Sequence, residues 1–249
     1  EKLAESADAL AKQYIGSLTL GVGQFCTNPG LAIAIDNADL DQFIGSLVTE
    51  VKASAPATML NEGIAKGYFH NREHVSSQEG VEVLATSEAE AASGQGIPTV
   101  ATVTAHEFLA NEQLQEEVFG PFALLVKCKD AQEMKSVASH LQGQLTASIF
   151  GTNQDLSDHS QLVASIQIKC GRILFNNFPT GVEVVKSMHH GGPFPSASDS
   201  RFTSVGADSI LRFTRPFSYQ NWPNALLPEE LQDENPLGIW RTVNNELVK

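Results

Sequence analysis

Short, continuous apolar runs alternate with longer amphipathic stretches along most of this chain, and that alternation narrows the fold. Leu31–Ile35 has no polar residue to turn toward water, so it reads as a strand buried on both faces. Val81–Leu84, Thr99–Thr104, Phe122–Cys128, Thr146–Phe150 and Gly171–Asn176 read as further strands. Between them, Glu1 to about Leu20, Asp36–Ala55, Leu60–Arg72, Ala131–Leu141 and Leu156–Ile166 carry helical spacing. In the first of these, Leu3, Leu10, Tyr14 and Leu18 supply the apolar stripe. Strands alternating with helices predict βαβ units, and hence an α/β fold with a mainly parallel sheet. Ala207–Phe213 reads as a short helix running into an edge strand that ends by Tyr219. Thr180–Ser200 reads as a long Gly/Pro/Ser-rich loop, a kind of segment that often carries function.

Composition limits function more than fold. The 249 residues suffice for one large domain or two modest ones. Lys plus Arg is 16 against 29 for Asp plus Glu, a net charge of −13. Such a surface repels phosphate backbones, so no nucleic-acid partner is expected. Apolar runs such as Phe122–Val126 are too short to span a bilayer, and no membrane partner is expected. The acidic N-terminus lacks the apolar stretch of a signal peptide, and a start at Glu1 suggests a processed chain or a piece of a longer one. Cys26, Cys128 and Cys170 are odd in number and widely spaced, which offers neither a disulfide framework nor a C-x-x-C pair. A reducing, cytoplasmic setting fits that usage.

Several constellations could carry chemistry. Cys26 lies in Gly21-Val22-Gly23-Gln24-Phe25-Cys26-Thr27-Asn28-Pro29-Gly30, a tight loop between a helix and a buried strand. Glycines let the backbone approach a ligand closely, and nearby N–H groups can face a developing oxyanion. The alternative is a buried structural cysteine, the usual fate of a free thiol. Glu116-Glu117-Val118-Phe119-Gly120-Pro121 is an acidic turn at the entrance to an apolar strand, and by itself it reads as a solvated edge. His70-Asn71-Arg72-Glu73-His74 has the H-x-x-E-H spacing of inverted zinc peptidases, although a third ligand is not evident and an exposed helix end explains it as well. His189 and His190, in the long loop, are adjacent and so poor joint ligands; either could meet an anionic substrate or simply lie on the surface. Asn176-Asn177 ends a buried strand, where amides cap chain ends or line pockets. The full G-x-G-x-x-G dinucleotide fingerprint is absent.

In order, Gly23-Gln24-Phe25-Cys26, Glu117-Val118-Phe119-Gly120-Pro121, Phe175-Asn176 and Gly191-Gly192 resemble the C-terminal half of the NAD(P)-dependent aldehyde dehydrogenases. The resemblance runs from about Tyr14 to Tyr219. Gly16–Gly30, Phe175–Val184 and His190–Pro195 continuing to Ser200-Arg201 look like the branch that oxidises α-ketoglutarate semialdehyde.

This resemblance implies a three-layer αβα catalytic domain over residues 1–210. Over 211–249 it implies an oligomerisation strand, near Leu211–Tyr219, and an acidic tail. By position, Cys26 is implied as the nucleophile, attacking the aldehyde carbon to give a thiohemiacetal and then a thioester. Glu117 is implied to hold the nicotinamide ribose and Phe119 to pack by the nicotinamide of NAD or NADP. Phe25, Asn176, His190 and Arg201 are implied around the substrate, with His190 and Arg201 reading a distal carboxylate. No metal is implied. The family's cofactor-binding half, its oxyanion-hole asparagine and its general-base glutamate normally precede this region. The chain alone is therefore expected to be inactive, and the full-length enzyme a homo-oligomer acting on a small aldehyde. The alternatives are a non-catalytic binding domain that retains the fold, or an aldehyde dehydrogenase for a different semialdehyde or an aliphatic aldehyde.

Overall fold

The alternation takes shape as ten strands and seven α-helices among residues 2–249, which this computed structural model describes. In chain order these are α1 (Lys2–Thr19), β1 (Leu31–Ile35), α2 (Ala38–Ala53), β2 (Ala57–Thr58), α3 (Glu62–Ser76), β3 (Glu82–Thr86), β4 (Gln95–Gly96), β5 (Thr99–Thr104), α4 (Ala105–Ala110), β6 (Phe122–Cys128), α5 (Ala131–His140), β7 (Gln144–Ile149), α6 (Asn153–Asp158), α7 (Ser160–Gln167), β8 (Cys170–Phe175), β9 (Arg241–Val243) and β10 (Glu246–Val248). The expected helix start at Glu1 lies outside the described residues. The chain divides into two compact units, the first ending at Arg212 and the second spanning Phe213–Lys249.

In the first unit a four-stranded sheet has the order β1-β6-β5-β3. β1 and β5 both pair with β6 in parallel, and β3 closes the edge antiparallel to β5. The sheet is thus mixed but mostly parallel. Its centre is dry because β5 and β6 are buried on both faces. Ala101, Val103, Leu124 and Val126 meet Tyr68, Val75, Phe108 and Val137 from α3, α4 and α5. The alternate residues Val100, Ala123 and Leu125 meet Leu10, Tyr14, Leu18, Leu40 and Leu47 from α1 and α2. This two-residue alternation builds helix, sheet and helix layers. The parallel pair β7–β8 forms a separate, half-buried ladder, running from Gln144 opposite Cys170 to Ile149 opposite Phe175.

Helix starts follow from side chains that satisfy free N–H groups. Asn37, Asn61, Thr104 and Asp130 each accept a hydrogen bond from a backbone N–H of the first turn they cap. Leu156–Ile166, read as one helix, is two: His159, with φ −109 and ψ 32, separates α6 from α7. Among the described residues, no helix is long and apolar enough to cross a membrane.

The second unit is built from short 3-10 turns and the β9–β10 hairpin. Asn244 and Asn245 turn the hairpin at φ 53 and 68. The edge strand expected near Leu211–Tyr219 is not formed. Ala207–Phe213 winds as 3-10 helix, and residues 214–219 join no ladder among the described residues. Pro216 removes a ladder donor there, and Tyr219 sits between the rings of Phe217 and Trp222, with centroids 5.0 and 5.7 Å away.

Candidate functional site

The loop that follows α1 is pinned from several directions while its thiol stays exposed. The chain leaves α1 through Gly21, Val22 and Gly23 at φ 56, 60 and 66, three successive left-handed residues that reverse its direction. A Cβ on Gly23 would stand 2.3 Å from the Gly120 carbonyl, so only glycine allows this approach. Gln24 Nε2 donates to Gly21 O at 2.9 Å, and its Oε1 accepts from Leu60 N at 2.9 Å. The Thr27 hydroxyl donates to Pro179 O at 2.7 Å, Asn28 Nδ2 to Gly120 O at 3.1 Å, and the Tyr14 hydroxyl to Pro29 O at 2.7 Å. Cys26 sits amid these anchors, exposed. Cys128, by contrast, is fully buried, and desolvation pushes its thiol up to about 12; Cys170 is also raised by burial. Of the three thiols, that of Cys26 is the exposed one.

The Glu117–Pro121 turn faces this loop. Gly120, at φ 149, lies so close to the Tyr68 ring that a Cβ would stand 2.4 Å from it. The turn is fixed there, and its acid is carried to the same opening as the thiol. Cys26 and Glu117 line one cavity of about 520 Å³, together with Asn28, Gln115, Gly143 and Pro195. Glu117 is exposed as a residue, yet partial desolvation raises its carboxyl above the ordinary glutamate range. Asn28 Oδ1 and Gln115 Oε1 are buried in the cavity wall without a hydrogen-bond partner. A pocket with an exposed thiol, a carboxylate and unsatisfied acceptors suits a ligand rich in hydrogen-bond donors.

The other residues selected from sequence lie elsewhere. Phe119 is half-buried and Phe25 is exposed, and neither lines this cavity. Asn176 spends its amide on Gly151: Oδ1 accepts from the Gly151 N–H at 3.0 Å and Nδ2 donates to its carbonyl at 2.9 Å. That clamp joins the ends of β7 and β8. His190 is buried inside the long loop, where its N–H donates to Thr203 Oγ1 at 2.9 Å and its Nδ1 has no partner. Burial, then the nearby Arg172 and His189, hold its imidazole below the ordinary histidine range. Arg201 is exposed and closed on Asp199 at 2.6 Å. The structure therefore brings neither His190 nor Arg201 to this cavity. His70, Glu73 and His74 are exposed on α3, and the described residues hold no group of three His, Cys, Asp or Glu able to bind a metal.

The aldehyde dehydrogenase family model matches residues 3–215, nearly all of the first unit. The chain belongs to the aldehyde dehydrogenase family. It is 45% identical over 240 residues to an α-ketoglutaric semialdehyde dehydrogenase 2 of Azospirillum brasilense, covering 96% of this chain and 46% of that protein. It is 40% identical over 250 residues to an α-ketoglutaric semialdehyde dehydrogenase of Acinetobacter baylyi, covering 100% of this chain and 48% of that one. The chain thus spans about half the length of the curated relatives it matches. Its fold is shared with a double mutant of betaine aldehyde dehydrogenase from Staphylococcus aureus, solved in complex with NAD+. That match has a TM-score of 0.65 and 17% identity, and covers 82% of this chain and 41% of that one.

One cavity-lining cation of this aldehyde dehydrogenase chain is not singled out by the sequence. Arg172, in the middle of β8, lines a second cavity of about 780 Å³ with Ser17, Leu20, Asn177, Thr180 and Glu183. Its Nη1 donates to Gly181 O at 3.1 Å and its Nη2 to Pro179 O at 3.2 Å. Pro179 O is the same carbonyl that receives the Thr27 hydroxyl, so a single oxygen joins Arg172 to the residue beside Cys26. The available signal was a lone cation inside the apolar run Cys170–Phe175, leading into a Pro/Gly loop.

Proposed function

We propose that the full-length protein oxidises α-ketoglutarate semialdehyde to 2-oxoglutarate, with NAD or NADP as cofactor and Cys26 as nucleophile. The observation that carries this reading is the exposed Cys26 thiol sharing a cavity with Glu117. The names of the two curated relatives support the substrate. In this reading the Cys26 thiolate attacks the aldehyde carbon, forming a C–S bond and an oxyanion that the Cys26 backbone N–H helps to stabilise. The cofactor, when bound, supplies hydride acceptance. Cys26 holds the carbon as a thiohemiacetal before oxidation and as a thioester after it. Water then cleaves the C–S bond, releasing the acid and restoring the thiol. Glu117 holds ribose hydroxyls of the cofactor as a carboxylate. Because its pKa is raised, cofactor affinity falls as pH drops through a higher value than an ordinary glutamate would set.

The test is reduction of NAD or NADP by the full-length protein supplied with α-ketoglutarate semialdehyde, comparing wild type with Cys26→Ala. Wild-type turnover is expected, with a loss of at least about a thousandfold in the variant. Undiminished turnover in Cys26→Ala would refute the nucleophile. Oxidation of other aldehydes but not of this one would refute the substrate.

A further inference from the structure

The outer face of α3 carries a pair of metal-ligating side chains that the reaction above does not use. The inner face of this helix is pinned. Ala65, Tyr68 and Val75 are buried, the Tyr68 hydroxyl donates to Ile97 O, and the Arg72 guanidinium lies over the Tyr68 and Phe69 rings at 5.8 and 5.2 Å. The ends are held as well. Asn61 Oδ1 accepts from Ile64 N at 2.9 Å, and Ser77 Oγ and Gln78 Nε2 donate to the His74 carbonyl at 2.9 and 3.1 Å. The outer face presents Gly63, Lys66, Gly67, His70, Glu73 and His74, all exposed, at the three- and four-residue spacing of one helical stripe. His70 and His74 stand one turn apart on it. Side chains so spaced have Cβ atoms about 5–6 Å apart, within reach for two imidazoles to close on one ion. Among the described residues neither ring makes a hydrogen bond, an ion pair or a ring contact; the histidine that does sit by a carboxylate is His106. No third His, Cys, Asp or Glu among the described residues converges on the pair, so water would fill the remaining positions of an ion held there. Imidazole ligands with an open coordination sphere suit a late first-row dication, Cu2+ more tightly than Ni2+ or Zn2+, and not the oxygen-seeking Mg2+ or Ca2+.

We propose that His70 and His74 form a surface site for a late first-row dication, held by two imidazoles across one turn of α3. The site is independent of the dehydrogenase reading, because neither histidine lines the cavity of Cys26 and Glu117. Two protein ligands leave the ion exchangeable. They are brought together only while the helix is formed, so the ion binds the folded chain in preference to the unfolded one and stabilises it by mass action. A chain with a net charge of −13 draws dications toward its surface in addition.

The probe is Ni2+, titrated calorimetrically into the full-length protein in its Cys26→Ala form, which removes the exposed thiol as a competing ligand. Binding of Ni2+ is expected, with a rise in Tm when the ion is present. His70→Gln and His74→Gln should each weaken that binding at least about tenfold and abolish the rise, because one imidazole cannot chelate. Lys66→His added to the His74→Gln variant rebuilds the same spacing one turn earlier, between residues 66 and 70, and should restore the binding. All three positions are exposed and away from the pinned face, so the circular dichroism of each variant should match that of the parent. Ni2+ binding that is absent from the parent, or undiminished in both single variants, would overturn the proposal. So would a failure of Lys66→His to restore binding, since the spacing along the helix would then not be what makes the site.

Discussion

The strand pairs β5–β6 and β7–β8 are both parallel, yet they sit in different surroundings. β5 and β6 are buried nearly throughout and meet helices on both faces. β7 and β8 are half-buried along their length, and neither α6 nor α7 contains a buried residue. The first pair is held by side-chain packing. The second relies more on individual polar contacts, chiefly the Asn176–Gly151 clamp and the Arg172 contacts to the 179–181 loop. The difference teaches where a chain of this kind can place chemistry. The packed pair supplies a rigid base for the Glu117–Pro121 turn, and the looser pair carries the cation that faces a cavity.

Substitutions can break this comparison. The largest effect is expected from Leu125→Ala in β6, which empties a fully enclosed position and should cost about 3 kcal/mol in denaturant unfolding. Ile173→Ala in β8 should cost nearer 1 kcal/mol, because its site is already half open. Equal losses would show that the two pairs are equivalent after all. Next, Asn176→Ala removes both hydrogen bonds to Gly151 at a position with φ 50, and should cost about 2 kcal/mol by the same measurement. A negligible loss would mean that the clamp does not stabilise the second pair. The smallest effect concerns His190. Its imidazole titrates below the ordinary value in the folded chain, so the unfolded chain binds the proton more readily. Its contribution is fully present above the unfolded pKa, near 6.5, and is lost as pH falls through that value toward the folded one. The urea midpoint of a His190→Gln variant should therefore fall less between pH 7.5 and 5 than that of the wild type.

Much of the dry sheet was legible in the sequence. Thr99–Thr104 and Phe122–Cys128 form strands with those bounds, because short β-branched and apolar runs between turn signals leave few options. The weaker elements drifted. β7 begins at Gln144 rather than Thr146, and the helix read over 156–166 is split at His159, where the sequence carries no proline or glycine to mark a break. The strand expected up to Tyr219 needs a neighbour to define it, and sequence periodicity does not supply one. At the site, Cys26 and Glu117 share a cavity because both lie on turns set by glycine, which sequence reveals. Asn176 and Arg201 spend their side chains on Gly151 and Asp199, and His190 is buried within its loop, surroundings that only tertiary structure could name. Arg172 lines a cavity through contacts to the 179–181 loop, which a lone cation in a strand does not announce.

Gly23 leans its missing side chain on the carbonyl of Gly120, and Gly120 leans its own on the ring of Tyr68. The three positions form a stack with no slack in it. A lineage carrying this loop cannot drift at one of them and repair the damage at the next, because each neighbour is already in contact. Variation can enlarge or shrink the cavities from their other walls, while the seat of the thiol admits only concerted replacement. Diversity would then accumulate in the loops around the cavities, with the Cys26 thiol kept in place.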